Sequence, residues 1–421
     1  MKLPFFEFKL LTKKQLSYIV ISIDVEKGVQ YMIKFADRIV DLKGSAIREV
    51  LKFLSRPGVI SFAGGMPAPE TYPAAEFSEI IAEILRDNPA TAFQYGITEG
   101  YSPLIEQTSA RLSGNGIGCV GDSVIIVSGG QQAIELVTKS LINEGDGIVC
   151  ECPSFIGALN AFRSYGAKLY PVPMDGDGMN IEALNEVLSN NKNIKFIYTI
   201  PTFQNPTGIT MPIEKRRKIL EIAEKHGVFI LEDDPYWELR FKGQAVPSIK
   251  SLDDGSRVLY AGTYSKTIAP GLRVGFLCAP SEITEKAVVC KQVSDVHANV
   301  LAQMAVSKYI NEYDFDAHIK SSAALNGEKC ALMRRYMADH FPGNVSCTDP
   351  EGGLFIWCDI NDGSDSREFS KRCLERDIAI VSGATAMPDT SVISSAFRLN
   401  FSMASDENIE KGIKILGEML K

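Results

Sequence analysis

Histidine and tryptophan are scarce in this chain, which has four histidines and two tryptophans among 421 residues. The histidines lie far apart, and none stands at ligand spacing from a cysteine pair, so the sequence predicts no metal site. No apolar run approaches the roughly eighteen residues that span a bilayer, and the N-terminal segment lacks the features of a signal peptide. We therefore expect no membrane partner and a cytoplasmic location.

Basic residues are also fewer than acidic ones, with 44 Lys and Arg residues and 52 Asp and Glu residues. The one short basic stretch, 215–218, falls on a helical pattern and indicates a solvated face. This acidic balance argues against a surface that neutralises nucleic-acid phosphates. The nine cysteines are odd in number and scattered, so a disulfide framework is not expected either.

The length and the 45% hydrophobic content suffice for two packed domains. From about residue 120, β-branched runs alternate with helical periodicity, which is typical of strand-helix units in a mostly parallel sheet. Helices are predicted over 131–141 and 212–226, with Gly227 just past the end of the second. The predicted strands of this sheet are 123–127, 146–150, 194–200, 228–231, 257–261 and 272–278.

Beyond about residue 310, alternating patterns at 353–360 and 396–402 predict strands of a smaller α+β domain. We expect an α/β fold with a large domain over 73–310 and a small domain over 311–421. Residues 32–72 are expected to form an N-terminal arm and part of the small domain. Residues 1–31, in which a short strand is expected within 18–25, are an extension without a predicted role.

Polar motifs follow several of the predicted strands, and ligands bind at the carboxyl ends of strands in open parallel sheets. The first motif opens a helix, whose free N–H groups and dipole favour an anion. Each motif alone could be an ordinary turn or cap, but together and in this order they predict one converging site. They are Ser128-Gly-Gly-Gln131, Pro201-Thr-Phe-Gln-Asn-Pro-Thr-Gly208, Glu232-Asp-Asp-Pro-Tyr236 and Gly262-Thr-Tyr-Ser-Lys266, the last followed by Pro270-Gly-Leu-Arg273.

This set of motifs closely resembles that of class I/II aminotransferases of fold type I, especially the 2-aminoadipate and kynurenine aminotransferases. The resemblance runs from about residue 41 to the C-terminus. It implies pyridoxal 5'-phosphate as cofactor, a mostly parallel sheet of the seven-stranded type between helices, and a homodimer with shared active sites. It also includes Phe62-Ala-Gly-Gly-Met-Pro-Ala-Pro-Glu70, Phe93-Gln-Tyr-Gly-Ile-Thr-Glu-Gly-Tyr101 and Phe397-Arg-Leu-Asn-Phe-Ser402.

The resemblance implies that Lys266 attaches the cofactor through its amine, which must have a lowered pKa to act as a nucleophile. Without the neighbouring motifs, Lys266 would be taken for a surface lysine at a strand end. Asp233 would face the pyridine nitrogen and keep it protonated. Asp234 and Glu232 are the competing candidates, and Asp233 is preferred because of its spacing from Tyr236.

Further cofactor contacts are implied in the same way. Tyr236 and Asn205 would donate hydrogen bonds to the phenolic oxygen of the cofactor, and Phe155 would stack on its ring, although Phe155 could also be a plain core residue. The phosphate needs fixed donors and a cation. The residues that would supply them are Gly130, Gln131, Thr263, Ser265, Arg273 and, from the neighbouring subunit, Tyr95.

Substrate contacts are implied for Arg398, as the clamp of the α-carboxylate, and for Gly65 and Asn205. From strand alternation alone, Arg398 faces away from its buried neighbours and would usually be solvated. Arg48 lies beside an apolar helical face, and the resemblance implies that it meets the side-chain carboxylate of acidic substrates. The alternative is a solvated helix arginine.

The resulting hypothesis is a ping-pong transamination from an amino acid to a 2-oxo acid, with 2-oxoglutarate as the expected acceptor. The amino donor stays open among 2-aminoadipate and other acidic, aromatic and branched-chain amino acids. One alternative is a lyase or synthase with the same cofactor contacts. Another is a cofactor-binding transcriptional regulator, but the segment before residue 41 is too short for a winged-helix domain and not convincingly helical.

Overall fold

The structure is a computed structural model that describes residues 20–24, 29–33, 35–40, 58–118 and 120–421. Within these ranges, no helix combines the length and the apolar character that crossing a membrane requires. The strands are β1 Val20–Asp24, β2 Val29–Ile33, β3 Ile60–Ser61, β4 Asp122–Val127, β5 Gly147–Cys152, β6 Lys168–Asp175, β7 Gly178–Met179, β8 Ile194–Thr199, β9 Phe229–Asp233, β10 Val258–Thr263, β11 Gly275–Pro280, β12 Ser346–Cys347, β13 Phe355–Asp359, β14 Ile378–Ala379, β15 Val381–Ser382 and β16 Ala396–Asn400.

The helices alternate with the strands of the central region, as the sequence pattern predicts. Those predicted over 131–141 and 212–226 are confirmed to within a residue, and Gly227 adopts the left-handed conformation with a φ of 70°. The helices are α1 Asp37–Val40, α2 Ala74–Asp87, α3 Pro89–Phe93, α4 Ser102–Gly114, α5 Gly130–Leu141, α6 Ile156–Ser164, α7 Ile181–Asn190, α8 Ile213–His226, α9 Ser281–Gln292, α10 Val300–Glu312, α11 Phe315–His340, α12 Ser366–Glu375 and α13 Asp406–Met419.

The large sheet has eight strands in the order β4-β11-β10-β9-β8-β5-β6-β7. The strands from β10 to β6 run parallel to their neighbours, whereas β11 is antiparallel to both β10 and β4. The prediction of a mostly parallel sheet is confirmed. The sequence analysis missed β6 because Pro171 and Pro173 interrupt its β-branched pattern, a composition tolerated near a sheet edge.

Apolar side chains cover both faces of this sheet, as expected for parallel strands between helices. One face packs against α5 and α6, and the other packs against α7 and α8. The strand predicted over 272–278 begins only at Gly275, because the preceding residues form a 3-10 turn and Arg273 adopts a left-handed φ of 55°. This turn is what directs the side chain of Arg273 back toward the end of β4.

A second sheet, in the order β12-β13-β16-β15, packs against α11, α12 and α13. The short strand β3 pairs with β14 and brings the segment after it against β16. Arg398 and Asn400 on β16 are 3% and 0% exposed, so the face that alternation would leave to solvent is buried as well. The strand expected within 18–25 is found as β1, paired with β2 in an antiparallel hairpin.

Candidate active site

A cavity of about 260 Å³ opens where β8, β9 and β10 end, between the large sheet and the segment that follows β3. Twelve residues singled out in the sequence line it, together with Ile134, Ile200 and Pro235, which were not predicted. The twelve are Gly65, Gly130, Gln131, Phe155, Asn205, Asp233, Tyr236, Thr263, Ser265, Lys266, Arg273 and Arg398.

Lys266 follows the end of β10 and points its amine across the cavity. The Nζ atom donates a hydrogen bond to the carbonyl of Gly65 at 2.7 Å. Burial and the positive charges of Arg398 and Arg273 lower the pKa of Lys266 to about 8, although Asp233 partly opposes them. With this pKa roughly a tenth of the amine is unprotonated at pH 7, far more than in an ordinary lysine, which favours a role as nucleophile.

Three consecutive carboxylates end β9, and the structure separates them by face. Asp233 lines the cavity and accepts a hydrogen bond from Tyr198 Oη at 2.7 Å. Burial raises the pKa of Asp233 to about 6, while the Tyr198 hydrogen bond counteracts the increase. Glu232 points to the other face, and Asp234 accepts a hydrogen bond from Tyr260, so neither lines the cavity. The geometry thus distinguishes the preferred candidate from its two competitors.

One end of the cavity is built to receive an anion. Arg273 Nη2 donates to the carbonyl of Ser128 at 2.9 Å, which holds the guanidinium beside the first turn of α5. Gly129 precedes that helix with a φ of 78°, and a Cβ there would collide with the Arg273 guanidinium. Thr263 and Ser265 add hydroxyl groups, hydrogen-bonded to each other at 2.8 Å. A phosphate group fits this cradle of N–H donors, hydroxyls and one cation.

Arg398 also lines the cavity and is buried, and no carboxylate of the described residues lies within ion-pair distance of it. Its Nη1 donates to Asn205 Oδ1 at 2.8 Å, its Nη2 donates to the carbonyl of Ala63 at 2.7 Å, and its Nε has no hydrogen-bond partner in the described part of the chain. Burial lowers the pKa of Arg398 to about 10. The guanidinium stacks at 4.0 Å from the centroid of Phe355. A buried cation of this kind is a receptor for a carboxylate.

The middle of the cavity offers a flat apolar wall and two donors. Phe155 stands immediately before α6, where Gly157 leaves room for it, since a Cβ on Gly157 would collide with the Phe155 ring. Tyr236 and Asn205 are in hydrogen-bond contact, and burial is the main cause that raises the pKa of Tyr236. These groups fit a planar ring that carries a hydroxyl and a phosphate.

Of the predicted site residues that the structure describes, Tyr95 alone does not line this cavity. Tyr95 is 80% exposed and makes an edge-to-face contact with His297 at 5.7 Å. Arg48 lies outside the described residues. The structure also adds Tyr198, which sequence analysis missed although a tyrosine inside a buried strand needs a partner for its hydroxyl. The alternation along β8 and β9 that places Tyr198 and Asp233 on one face was the signal that could have identified it.

The fold is similar to those of solved aminotransferases. The kynurenine aminotransferase of Pyrococcus horikoshii, solved in complex with PMP, superposes with a TM-score of 0.88 at 35% identity, over 94% of this chain and 98% of that one. The LysN α-aminoadipate aminotransferase of Thermus thermophilus, complexed with N-(5'-phosphopyridoxyl)-L-leucine, superposes with a TM-score of 0.84 at 34% identity, over 92% and 97% of the two chains. The cofactor of this chain is pyridoxal phosphate, which the cavity fits.

The chain belongs to the family of class I and II aminotransferases, whose model matches residues 70–416. Aromatic-amino-acid aminotransferase 1 of Thermococcus litoralis is 37% identical over 401 residues, which cover 93% of this chain and 95% of that protein. The resemblance inferred from the motifs, the fold of type I and the enzyme class are confirmed.

Proposed function

We propose that this aminotransferase moves an amino group from an amino acid to 2-oxoglutarate by a ping-pong mechanism, in which both substrates use the cavity described above in turn. The observation that carries this proposal is the position of Lys266. Its amine, with a pKa lowered to about 8, lines the same cavity as Asp233 and Arg398 and interacts electrostatically with both, so it can move the proton of a substrate α-carbon bound there.

Pyridoxal phosphate, when bound, supplies an electron sink for the bond that breaks at the substrate α-carbon. Lys266 would hold the cofactor through its amine, and the same amine, once free, would carry the proton removed from the substrate α-carbon. Asp233 holds a proton on the pyridine nitrogen. Asn205 accepts from Arg398 through Oδ1 and is hydrogen-bonded to Tyr236, so one amide N–H of Asn205 and the hydroxyl of Tyr236 would donate to the phenolic oxygen.

The remaining contacts orient the two ligands. Arg398 binds the α-carboxylate with a planar pair of N–H donors. The carbonyls of Ala63 and Gly65 accept hydrogen bonds from Arg398 and Lys266 and hold both side chains in place. Phe155 covers one face of the cofactor ring. The phosphate is bound at the start of α5 by a set of donors that comprises Gly130, Gln131, Thr263, Ser265 and Arg273.

The active form that we propose is a homodimer in which Tyr95 reaches the phosphate of the neighbouring subunit. Support comes from the surface around it, since Phe93 and Ile97 are 75% and 58% exposed next to Tyr95 itself. Exposed apolar groups this close together are typical of an interaction surface. Tyr95 is then the residue that makes each active site depend on its partner.

The amino donors that we propose are 2-aminoadipate, aromatic and branched-chain amino acids. The names of relatives support two of these three kinds of donor: the Thermococcus litoralis protein is an aromatic-amino-acid aminotransferase, and the Thermus thermophilus one is an α-aminoadipate aminotransferase. Arg48 is the residue that would meet a side-chain carboxylate. A charge-assisted hydrogen bond is worth about 1.5 to 3 kcal/mol, so Arg48→Ala should lower kcat/KM for 2-aminoadipate and glutamate by roughly ten- to a hundredfold. Leucine and phenylalanine should be nearly unaffected.

The experiment that tests the reaction type uses one substrate at a time. An amino acid without an acceptor should release one equivalent of 2-oxo acid per active site and abolish the visible absorption band of the bound cofactor. Added 2-oxoglutarate should restore the band and release glutamate. Continued turnover without an acceptor, or a decarboxylated or eliminated product, would instead indicate a lyase or synthase that shares the cofactor contacts.

A further inference from the structure

Glu151 is a buried carboxylate on β5 that the proposed mechanism leaves unused. It lies on the sheet face of Val149, opposite the face that holds Cys150 and Tyr198, and it is 0% exposed. Its Oε1 accepts from Thr199 Oγ1 at 2.5 Å. Its Oε2 accepts from the backbone N–H of Ile200 at 3.3 Å and from an amide N–H of the turn that follows β8 at 3.0 Å. All these donors are neutral groups, so they hydrogen-bond the Glu151 carboxylate without compensating its negative charge.

The amide that donates to Glu151 belongs to Gln204, whose side chain cross-links the turn that follows β8. Gln204 Nε2 also donates to the carbonyl of Pro153 at 3.0 Å, and Gln204 Oε1 accepts from the backbone N–H and the hydroxyl of Thr207 at 2.8 and 2.7 Å. Asn205 is the next residue, and Phe155 follows Pro153 closely in sequence. Glu151 therefore holds the side chain that joins two cofactor-contacting turns.

The charge of Glu151 also acts on the site. The titratable groups that interact with it are Asp233 on β9, Tyr198 on β8 and Cys150 on β5. Burial raises the pKa of Glu151 to about 7, while its hydrogen bonds oppose the increase. A cationic group in the cavity would favour the ionised form further.

We propose that Glu151 is a positioning residue for the cofactor, which as a carboxylate fixes Gln204 and through it Asn205, and which adds a second negative charge behind Asp233. This inference rests on the pyridoxal phosphate site and not on the choice of amino donor. It predicts that the charge of Glu151, apart from its hydrogen bonds, stabilises the protonated form of the cofactor linked to Lys266.

Glu151→Gln removes the negative charge and keeps the size and the hydrogen-bonding capacity of the side chain. Its amide oxygen can accept from Ile200 and Gln204, and its amide N–H can donate to Thr199 once that hydroxyl has turned. In the holoenzyme without substrate, the pH at which the visible band changes should move down by about half a unit or more, because a nearby negative charge has been removed. An unchanged transition would overturn the proposal.

The matched control is Glu232→Gln on β9. Glu232 is equally buried and accepts two backbone N–H groups, but these belong to Ile249 and Lys250 rather than to a turn of the cavity. This variant should alter the thermal midpoint and leave the visible transition in place. An equal shift in Glu232→Gln would also contradict the proposal, because it would show a general effect of any buried charge in the sheet.

A second variant covers the case in which Glu151→Gln does not fold. Thr199→Val preserves the shape of the side chain and removes one donor from Glu151, so the carboxylate becomes easier to protonate. The visible transition should then shift in the same direction by a smaller amount, and no shift would overturn the proposal. Because the titration contains no substrate, its result is independent of the proposed donor, acceptor and kinetic scheme.

Discussion

The two faces of the large sheet both carry buried charges, but the partners of these charges differ between the faces. On the face opposite the cavity, Lys250 is fully buried and paired with Asp122 at 2.8 Å and Asp253 at 3.5 Å. On the cavity face, Lys266 donates to the carbonyl of Gly65, and two arginines lie near enough to lower its pKa. One lysine is neutralised within the fold, whereas the other is left for a ligand.

The three consecutive carboxylates at the end of β9 and just after it show the same difference between the two faces of the sheet. Glu232 and Asp234 share the neighbourhood of the buried guanidinium of Arg216, and Asp234 has a pKa raised well above the usual range by burial and by Glu232. Asp233, on the cavity face, is held by one tyrosine. Buried charge alone therefore does not identify a functional residue in this fold, because ion pairs that are internally satisfied belong to the scaffold.

The largest expected difference between the two faces is that between Lys266→Ala and Lys250→Ala. Lys266→Ala should abolish turnover and the covalent absorption band, while cofactor still binds through the phosphate cradle, because the nucleophile and proton carrier are lost. Lys250→Ala should cost about 3–5 kcal/mol of unfolding free energy, because it removes a buried ion-pair partner of Asp122 and Asp253, yet retain the band. Absorbance spectra and denaturant titrations measure both. Wild-type activity in Lys266→Ala would refute the assignment of the site.

The next contrast lies between Asp233→Ala and Asp234→Ala. Removing the partner of the pyridine nitrogen should cost several kcal/mol of transition-state stabilisation, on the order of hundreds-fold or more in rate. Asp234→Ala should affect the rate less, because its partners lie on the other face. Steady-state kinetics on variants with comparable melting curves would compare them. The reverse order would mean that the register of this motif is wrong, although the family membership would stand.

A pH experiment tests whether the cavity lowers the pKa of Lys266. The unprotonated amine is the reactive form, so the rate of covalent attachment of cofactor to the apoenzyme should rise about tenfold per pH unit below 8 and level off above it. An amine with an ordinary pKa would still be gaining rate at pH 10. Stopped-flow absorbance on the apoenzyme measures this profile. A plateau absent up to pH 10 would show that the cavity does not depress the pKa of Lys266.

Much of this arrangement could be predicted from the sequence, because the motifs stand at strand ends and strand ends of a parallel sheet converge. That reasoning brought the motifs of Lys266 and Asp233 together, whereas the roles of these residues and of Arg398 came from the family resemblance. It did not locate β6, whose prolines hide its pattern, and it did not predict that Arg398 is buried. The burial of Arg398 depends on the segment after β3, which comes from a distant part of the chain. Contacts of that sequence separation leave no local periodicity to read.

Tyr198 and Tyr260 give the smallest and best-matched comparison. Both are fully buried on strands flanking β9, and each donates to a carboxylate, Tyr198 to Asp233 at 2.7 Å and Tyr260 to Asp234 at 3.3 Å.

Tyr198→Phe removes the hydrogen bond that favours the ionised form of Asp233, so the pKa of that carboxyl should rise above about 6. A hydrogen bond to a charged group is worth about 1.5 kcal/mol or more, and hence roughly tenfold in kcat/KM. The acidic limb of the kcat/KM profile should move to higher pH, because a larger fraction of Asp233 is protonated at any given pH. Tyr260→Phe should lower the thermal midpoint without moving that limb. If both variants shift the limb equally, the limb reports a general change in the buried sheet and not the loss of the Tyr198 hydrogen bond to Asp233.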